Sequence, residues 1–205
     1  GQFALGIWDG RRLILARDPL GVRPLYTTEH QGKLYFASEA KAIFAADPHL
    51  PRAVDPIGLE ETFTFWTVVP PRTTFSGMEE LKPGHLAVYE NGGRRERAFF
   101  TLRYPSAASE AYPGSREDAT ERVLAALNDA TRLRMLRADV PVGSYLSGGL
   151  DSSLVAALAL RAKGSRFHTF SLRFQDAEYD ETGFQREMAD RLGSEHHEVV
   201  VSRAD

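Results

Sequence analysis

The residues of this chain that are best suited to chemistry stand together in the segment Ser147–Ser153, whose sequence is Ser-Gly-Gly-Leu-Asp-Ser-Ser. A short apolar run ends before it at Leu146, and an apolar helical pattern begins after it at Leu154. The two glycines let the backbone approach an anion without a Cβ in the way. The first N–H groups of the following helix have no partner within that helix, so they and the helix dipole attract negative charge. With three serine hydroxyls as further donors, the segment predicts a phosphate-binding loop.

The one carboxylate of this segment, Asp151, indicates a metal ion. A carboxylate beside a polyphosphate would repel it unless a cation lay between the two, and Mg²⁺ binds in proteins through carboxylates and substrate phosphates. No lysine follows the glycines, so the segment differs from the G-x-x-x-x-G-K-[ST] loop of P-loop proteins. A plain serine-glycine turn is the alternative interpretation. We favour the phosphate loop because the segment stands at a strand-to-helix junction, where anions bind.

The segments around this loop alternate between strand and helix patterns. The predicted order is strand Val142–Ser147, helix Ser152–Lys163, strand Phe167–Phe174, helix Glu181–Leu192 and strand His197–Val201. A β-α-β-α-β order predicts a parallel sheet with right-handed crossovers. Ligands of such sheets bind at the carboxyl ends of the strands, which is where the loop lies. From the helical period we expect these side chains to face the core: Leu154, Val155, Leu158, Phe184, Met188 and Leu192.

The first hundred residues have a strand-rich pattern with turn signals between short apolar runs. The predicted elements are strands Phe3–Trp8, Leu13–Ala16 and Leu34–Ala37, a helix Gly58–Phe65 after Asp55-Pro56, and a hairpin of Leu86–Tyr89 with Ala98–Leu102 across Asn91-Gly92-Gly93. From Tyr104 to Gly114 the composition shifts to proline, serine and alanine, which predicts a linker. Ser115 then opens a long helix with a capping box. We therefore expect a first domain at 1–104, a linker at 105–114 and a second domain at 115–205.

A second motif lies in the first domain, Ala16-Arg-Asp-Pro-Leu-Gly-Val-Arg-Pro-Leu-Tyr26, followed by Phe36-Ala-Ser-Glu39. Its prolines fix φ and its glycine permits a positive φ, so the residues by themselves favour a rigid turn. Within that turn, Asp18 and Arg23 are placed to pair with each other.

The composition excludes several kinds of function. The net charge is −3, whereas nucleic-acid binding requires a basic patch. The chain has no cysteine, which excludes disulfides, thiolate metal sites and a cysteine nucleophile within these residues. No apolar run approaches the roughly 20 residues of a membrane helix, so we expect a cytoplasmic protein without membrane or nucleic-acid partners. The chain begins in a strand pattern without a Met, and we expect it to be an internal segment of a longer protein.

The adjacent histidines His196 and His197 suggest a metal site at first sight. Neighbouring residues on a strand point to opposite faces, so the two rings cannot easily share one ion. We expect a structural or surface role for them.

The two motifs each resemble a known family signature. Ser147–Ser153 resembles the S-G-G-x-D-S-S pyrophosphate loop of the N-type ATP pyrophosphatases, which split ATP into AMP and pyrophosphate. The segment from Arg17 to Glu39 resembles the R-D-x-x-G-x-[RK]-P-L…A-S-E signature of class II glutamine amidotransferase domains. Their combination resembles the glutamine-hydrolysing asparagine synthetase family, and Pro70–Phe75, Leu81–His85 and Leu192–Val199 also fit that family. The resemblance covers essentially all 205 residues.

This resemblance implies a fold and a set of ligand contacts. The implied fold is α/β, with the C-terminal part of an N-terminal-nucleophile (α-β-β-α) glutaminase domain followed by a parallel-sheet, Rossmann-like PP-loop domain. ATP and Mg²⁺ are the implied ligands, with Asp151 on the metal, the backbone of Leu172 on adenine and Tyr145 at a further nucleotide-contact position. The implied phosphate contacts are Ser147, Gly148, Gly149, Asp151, Ser152 and Ser153. The glutaminase nucleophile of the family is a cysteine at the first residue of the mature chain, so no catalytic residue is carried over to this chain.

The implied activity is ATP-dependent amide formation, in which aspartate, glutamine and ATP give asparagine by way of β-aspartyl-AMP, with AMP and pyrophosphate as products. One alternative is a relative that acts on another carboxylate, such as a β-lactam synthetase or a natural-product amidotransferase. Another is a non-catalytic nucleotide-binding or interaction module, against which the intact Asp151 and glycines argue. The implied partners are small-molecule substrates, and a homodimer is left open.

Overall fold

The computed structural model describes residues 1–106, 111–164, 167–174 and 181–202. The chain divides into two compact units, residues 1–108 and 109–205. The predicted linker, 105–114, spans this division, and its residues 107–110 lie outside the described ranges. No helix in the described residues combines the length and the apolar character that a membrane span requires.

The first unit contains two antiparallel sheets. Its elements are β1 (Ala4–Trp8), β2 (Leu13–Arg17), β3 (Tyr26–His30), β4 (Lys33–Ala37), α1 (Ala40–Ala46), α2 (Pro56–Phe65), β5 (Met78–Glu80), β6 (His85–Glu90) and β7 (Gly93–Ala98). One sheet has the order β1-β2-β6-β7 and the other has the order β4-β3-β5. The three predicted strands before residue 40 are confirmed, whereas β3 was not expected. The predicted helix start at Asp55-Pro56 is also confirmed, because the Asp55 side chain accepts a hydrogen bond from the Gly58 N–H at 2.8 Å.

The predicted hairpin strand Ala98–Leu102 is wrong, because the strand that pairs with β6 is Gly93–Ala98. Asn91 and Gly92 both have positive φ, 52° and 73°, and these two residues complete the turn. The new strand therefore begins at Gly93, opposite Glu90. This strand is polar and exposed along its whole length, so no apolar alternation marked it in the sequence.

The second unit contains a parallel sheet flanked by helices. Its elements are α3 (Arg116–Leu136), β8 (Ser144–Tyr145), α4 (Leu150–Lys163), β9 (His168–Phe174), α5 (Thr182–Leu192) and β10 (Glu195–Val201). Both strand pairings are parallel, in the order β10-β9-β8, as the alternating pattern predicted. The Ser115 hydroxyl caps α3 by accepting a hydrogen bond from the Asp118 N–H at 3.1 Å, also as predicted. The strand predicted at Val142–Ser147 is shorter, since only its two central residues pair as a strand.

The core of the second unit combines two large apolar side chains with three alanines. Its buried residues are Leu146, Ala156, Ala159, Phe167 and Ala189, with Met188 and Leu192 packed against them. The prediction that Leu154, Val155 and Phe184 face the core is wrong, since all three are exposed. The sequence of α4 is apolar on nearly every side, so its pattern does not select a face. Packing selects the alanine side, which allows close approach of the neighbouring elements.

Candidate functional site

The loop at residues 146–149 joins the carboxyl end of β8 to the start of α4. Its base is fixed by Leu146, which is buried and whose backbone N–H donates to the Phe170 carbonyl at 2.8 Å. The Leu146 carbonyl in turn accepts a hydrogen bond from the buried Ser171 hydroxyl. The loop therefore leaves the sheet from a rigid position between β8 and β9.

Gly148 is the residue that sets the path of the loop. Its φ is +80°, in the left-handed region that favours glycine. A Cβ at this position would lie 2.7 Å from the Cβ of Phe184 and 2.9 Å from the Phe184 carbonyl carbon. The start of α5 therefore presses against the loop, and only a glycine fits between them. The Phe184 backbone therefore packs against the loop, although the Phe184 ring is exposed.

The serines of the loop hold it to the first turn of α4. The Ser152 Oγ accepts a hydrogen bond from the Ser147 N–H at 3.2 Å and lies 2.8 Å from the Ser147 Oγ. The same hydroxyl is 3.2 Å from the Gly149 carbonyl oxygen. The Ser153 N–H donates to the Gly149 carbonyl at 3.1 Å, which closes the first helical turn. These hydrogen bonds join the loop and the first turn of α4 into one preorganised unit.

The amino end of α4 has no side-chain cap, unlike two other helices of the chain. Asp55 caps α2 and Ser115 caps α3, whereas Gly149 is the N-cap of α4 and no side chain in the described part of the chain accepts from its first turn. The nearby hydroxyls of Ser147 and Ser152 bond to each other instead. The first N–H groups of α4 thus point toward the loop without a side-chain acceptor, and the helix dipole adds positive potential there. This arrangement suits a phosphate.

Asp151 lies in the first turn of α4, and its side chain is exposed. A carboxylate oxygen is a hard ligand of the kind that Mg²⁺ prefers, and Mg²⁺ commonly takes one or two protein carboxylates together with water and substrate phosphates. The residues present therefore fit a magnesium ion shared with a phosphate bound at the start of α4. In that place, the ion would neutralise the repulsion between the carboxylate and the phosphate.

The structure brings the six predicted loop residues together, and it places Tyr145 and Leu172 on the neighbouring strands β8 and β9. Both belong to the sheet face that the helices leave uncovered, because Tyr145 pairs with Phe170 and side chains two apart on a strand share a face. Tyr145 is 82% exposed and Leu172 is 50% exposed. The Leu172 carbonyl accepts a hydrogen bond from the Gln185 side chain at 3.2 Å, which anchors the carboxyl end of β9 to α5.

Sequence reasoning missed two polar residues that support the loop, Ser171 and Gln185. Both are buried, and each donates a side-chain hydrogen bond to a backbone carbonyl beside the loop, Ser171 to Leu146 and Gln185 to Leu172. The signal that marks such residues is a polar side chain at a position that the strand or helix period turns inward.

In the first unit, the Arg17-Asp18 motif organises a turn. The buried Arg17 guanidinium donates to the carbonyls of Arg23, Leu81 and Gly21 at 3.0, 2.7 and 2.8 Å. It also forms an ion pair of 2.9 Å with Glu80. Burial raises the pKa of the Glu80 carboxyl, and the Arg17 charge opposes that rise.

Arg17 binds backbone carbonyls of the turn, and the buried Asp18 carboxylate binds its backbone N–H groups. It accepts backbone N–H bonds from Phe3, Leu20, Val22 and Arg23, at 3.3, 3.1, 3.1 and 3.0 Å. Burial acts to raise the pKa of Asp18, but these four donors together hold that pKa below its ordinary value. Asp18 therefore binds the backbone N–H of Arg23 and not its side chain, which corrects the expected side-chain pair. The predicted rigid turn is confirmed.

Comparison with known proteins assigns each unit to a family. The glutamine amidotransferase domain family matches residues 1–100, and the asparagine synthase family matches residues 122–205. A chain with both matches belongs to the class in which an amidotransferase domain is joined to a synthase domain.

Individual relatives agree with this class. Asparagine synthetase [glutamine-hydrolyzing] 3 of Bacillus subtilis is 34% identical over 100% of this chain and 35% of its own length. Amidase chyE of Penicillium rubens is 34% identical over 98% of this chain and 31% of its own length. Over almost its whole length the chain is similar to glutamine-hydrolysing asparagine synthetases. It spans about a third of the length of these relatives.

One solved structure also aligns with the chain. It is a glutamine phosphoribosylpyrophosphate amidotransferase from B. subtilis complexed with ADP and GMP, which covers 96% of this chain at 15% identity. Its TM-score of 0.33 is too low to carry a structural argument.

Proposed function

We propose that this chain is part of an ATP-dependent amide-forming ligase, and that its loop 147–153 binds the pyrophosphate portion of ATP. The observation that carries the proposal is the start of α4, where Gly149 is the N-cap and no side chain of the described residues forms a capping hydrogen bond. The family assignment supports a nucleotide as the source of the phosphate.

The proposed contacts follow from the geometry of the loop. Ser147, Ser152 and Ser153 offer hydroxyl donors, while Gly148 and Gly149 let the backbone approach the phosphate oxygens. Negative charge grows on the departing pyrophosphate as the carboxylate of the substrate attacks the α-phosphorus. The backbone N–H groups at the start of α4 are already oriented, and they stabilise this charge without reorganisation. A magnesium ion held by Asp151 would supply additional positive charge at the same oxygens.

Two further residues complete the proposed nucleotide site. We propose that the backbone of Leu172 contacts adenine and that Tyr145 lies beside the nucleotide. Leu172 is near the carboxyl end of β9, and Tyr145 directly precedes the loop. Both lie on the exposed face of the sheet, so a base can reach them. The hydrogen bond from Gln185 holds the Leu172 carbonyl in place.

The first unit belongs to the proposal as part of the domain that supplies ammonia from glutamine. The support is its match to the glutamine amidotransferase domain family over residues 1–100. We further propose domain limits of 1–104 and 115–205, with residues 105–114 as the linker. In the complete reaction, ammonia would attack β-aspartyl-AMP and give asparagine and AMP.

The test is exchange of labelled pyrophosphate into ATP by the full-length protein with Mg²⁺. Reversible adenylation predicts that aspartate stimulates the exchange, because only an adenylated carboxylate returns ATP from pyrophosphate. Glutamate and other carboxylic acids serve as controls of similar charge. Exchange with another acid and not with aspartate would assign the protein to a relative of altered substrate. Absence of exchange with every acid would contradict the ligase itself.

A further inference from the structure

A cluster of two imidazoles and a carboxylate lies on the parallel sheet, away from the phosphate loop. His168 is the first residue of β9, and Glu195 is the first residue of β10. These two residues are register partners, and His197 follows Glu195 by two positions. Because residues two apart on a strand share a face, all three side chains project from the same side of the sheet.

The distances between the ligand atoms lie within a few tenths of an ångström of those around one metal ion. The His168 Nδ1 lies 3.1 Å from the His197 Nε2, and it lies 3.7 Å from a Glu195 carboxylate oxygen. The His197 Nε2 lies 3.9 Å from the other oxygen of that carboxylate. A tetrahedral zinc ion with bonds of about 2.0–2.1 Å separates its ligand atoms by about 3.3–3.4 Å. We propose that His168, Glu195 and His197 form a binding site for a zinc ion.

The kind of metal follows from the ligand atoms. Two imidazole nitrogens and one carboxylate oxygen suit Zn²⁺, whereas Mg²⁺ and Ca²⁺ prefer ligand sets made of oxygen alone. The side chains of His168, Glu195 and His197 are 35%, 61% and 44% exposed, so an ion can enter from solvent. With three protein ligands, the fourth position remains for water.

The cluster is held in shape by its neighbours. The His197 ring stacks on Phe170 at a centroid distance of 5.1 Å and an interplanar angle of 18°. This contact restrains the orientation of the imidazole, which lowers the entropy cost of binding an ion. His196 points to the opposite face, where its Nδ1 lies 2.9 Å from the buried Thr169 hydroxyl. The expectation that His196 and His197 do not share an ion is therefore confirmed.

The proposed zinc site and the phosphate loop use different residues of the sheet. Parallel strands begin at one edge and end at the other, and His168 and Glu195 stand at the beginnings of their strands. The loop follows the end of β8. Along β9, His168 lies two residues before Phe170, the register partner of Tyr145 at the end of β8, a step of about 7 Å at 3.3 Å per residue. The zinc proposal therefore stands whether or not the phosphate loop binds ATP.

The test is calorimetric titration of the full-length protein with Zn²⁺ after chelator treatment, in excess Mg²⁺ so that the magnesium position does not interfere. We expect wild-type protein to bind one zinc ion per chain at this site. His168→Gln, His197→Gln and Glu195→Gln should each remove or strongly weaken that event, by at least the roughly 10–100-fold that loss of an outer-shell partner costs. His49→Gln, an exposed histidine of the first unit, is the matched control and should bind as wild type does.

A second measurement separates zinc binding from misfolding. Thermal unfolding without zinc should give similar midpoints for the wild type and the three variants, whereas zinc should raise the midpoint of the wild type and of His49→Gln only. Binding of Co²⁺ gives an independent signal, because its visible absorption changes on tetrahedral coordination by nitrogen and oxygen. The proposal is overturned if wild-type protein binds no zinc, or if the three variants bind zinc as tightly as the wild type.

Discussion

Two carboxylates of this chain lie in opposite environments. One contributes to folding, and the other is placed to bind a ligand. Asp18 is buried and accepts four backbone N–H bonds. Asp151 is exposed at the start of a helix whose N-cap is glycine. The hydrogen-bonding capacity of Asp18 is used by the protein itself, whereas that of Asp151 remains available to a bound ion.

Replacement of Asp151 by asparagine should affect chemistry and leave folding nearly unchanged. The side chain keeps its size and much of its ability to interact with a helix start, so the free energy of unfolding should change by less than about 1 kcal/mol. Loss of one group that stabilises charge in the transition state typically lowers kcat by roughly 10²–10³-fold. The measurement is aspartate-dependent pyrophosphate release by the full-length protein.

The matched control for this variant is Asp190→Asn, an exposed carboxylate of α5, which should keep the wild-type rate. Asparagine formation at the wild-type rate by the Asp151 variant would mean that this carboxylate binds no magnesium.

Asp18→Asn should destabilise the first unit, and the loss should depend on pH. Hydrogen bonds to a charged group contribute roughly 1.5–3 kcal/mol, so we expect a loss of about 2–3 kcal/mol at pH 7. The pKa of Asp18 is lowered in the folded chain, so its contribution is fully present above the unfolded pKa, about 3.9, and is lost as pH falls through the folded pKa. The difference in unfolding free energy between wild type and variant should therefore shrink below about pH 4.

Chemical denaturation at pH 7 and at pH 3 measures this difference. The exposed Asp129 of α3 offers a control, and Asp129→Asn should change stability by less than about 0.5 kcal/mol. An equal loss at both pH values for Asp18→Asn would show that the charge of the carboxylate does not matter.

At the scale of elements, the contact between α5 and the phosphate loop decides whether the loop can form. Gly148 has a positive φ and also faces the backbone of Phe184. Gly164, the C-cap of α4, has almost the same φ, +82°, but no atom of the described residues is found within 4 Å of the place of its Cβ. Alanine substitution at Gly164 therefore measures the free-energy cost of a positive φ alone, whereas substitution at Gly148 adds the cost of a steric clash.

Gly148→Ala should therefore be more destabilising than Gly164→Ala. Gly164→Ala should cost about 1 kcal/mol, since an alanine at positive φ is strained by about 1–2 kcal/mol. Gly148→Ala carries the same strain and also displaces α5, at a further cost of about 1–3 kcal/mol. Urea denaturation of both variants measures these costs. Equal destabilisation of the two would mean that α5 does not press on the loop.

At the scale of the whole molecule, the 205-residue chain contains no cysteine. The glutaminase reaction of the proposed family needs a cysteine nucleophile, so the purified chain should release no glutamate from glutamine. A coupled glutamate assay with the chain alone measures this, and a class II amidotransferase with its cysteine intact provides the positive control. Glutamate release by the chain would contradict the assignment of a cysteine nucleophile.

Local features of the sequence predicted much of the second unit. Alternating strand and helix patterns predicted the parallel sheet, and the predicted helix start at Ser115 and helix end at Leu192 are correct because capping depends on neighbouring residues. The loop 147–153 was visible for the same reason, since its glycines, serines and carboxylate are consecutive in the chain.

The tertiary structure decided what depends on residues far apart in sequence. The face of α4 that packs inward follows from the elements around it, because its own sequence is apolar on nearly all sides. Gly148 is required by Phe184, 36 positions further along the chain, as well as by its own φ. Only the pairing register of β9 and β10 brings His168 close to Glu195 and His197. Sequence by itself thus determined the loop 147–153 and the order of elements around it, while the proposed metal-binding cluster arises only where parallel strands bring distant side chains together.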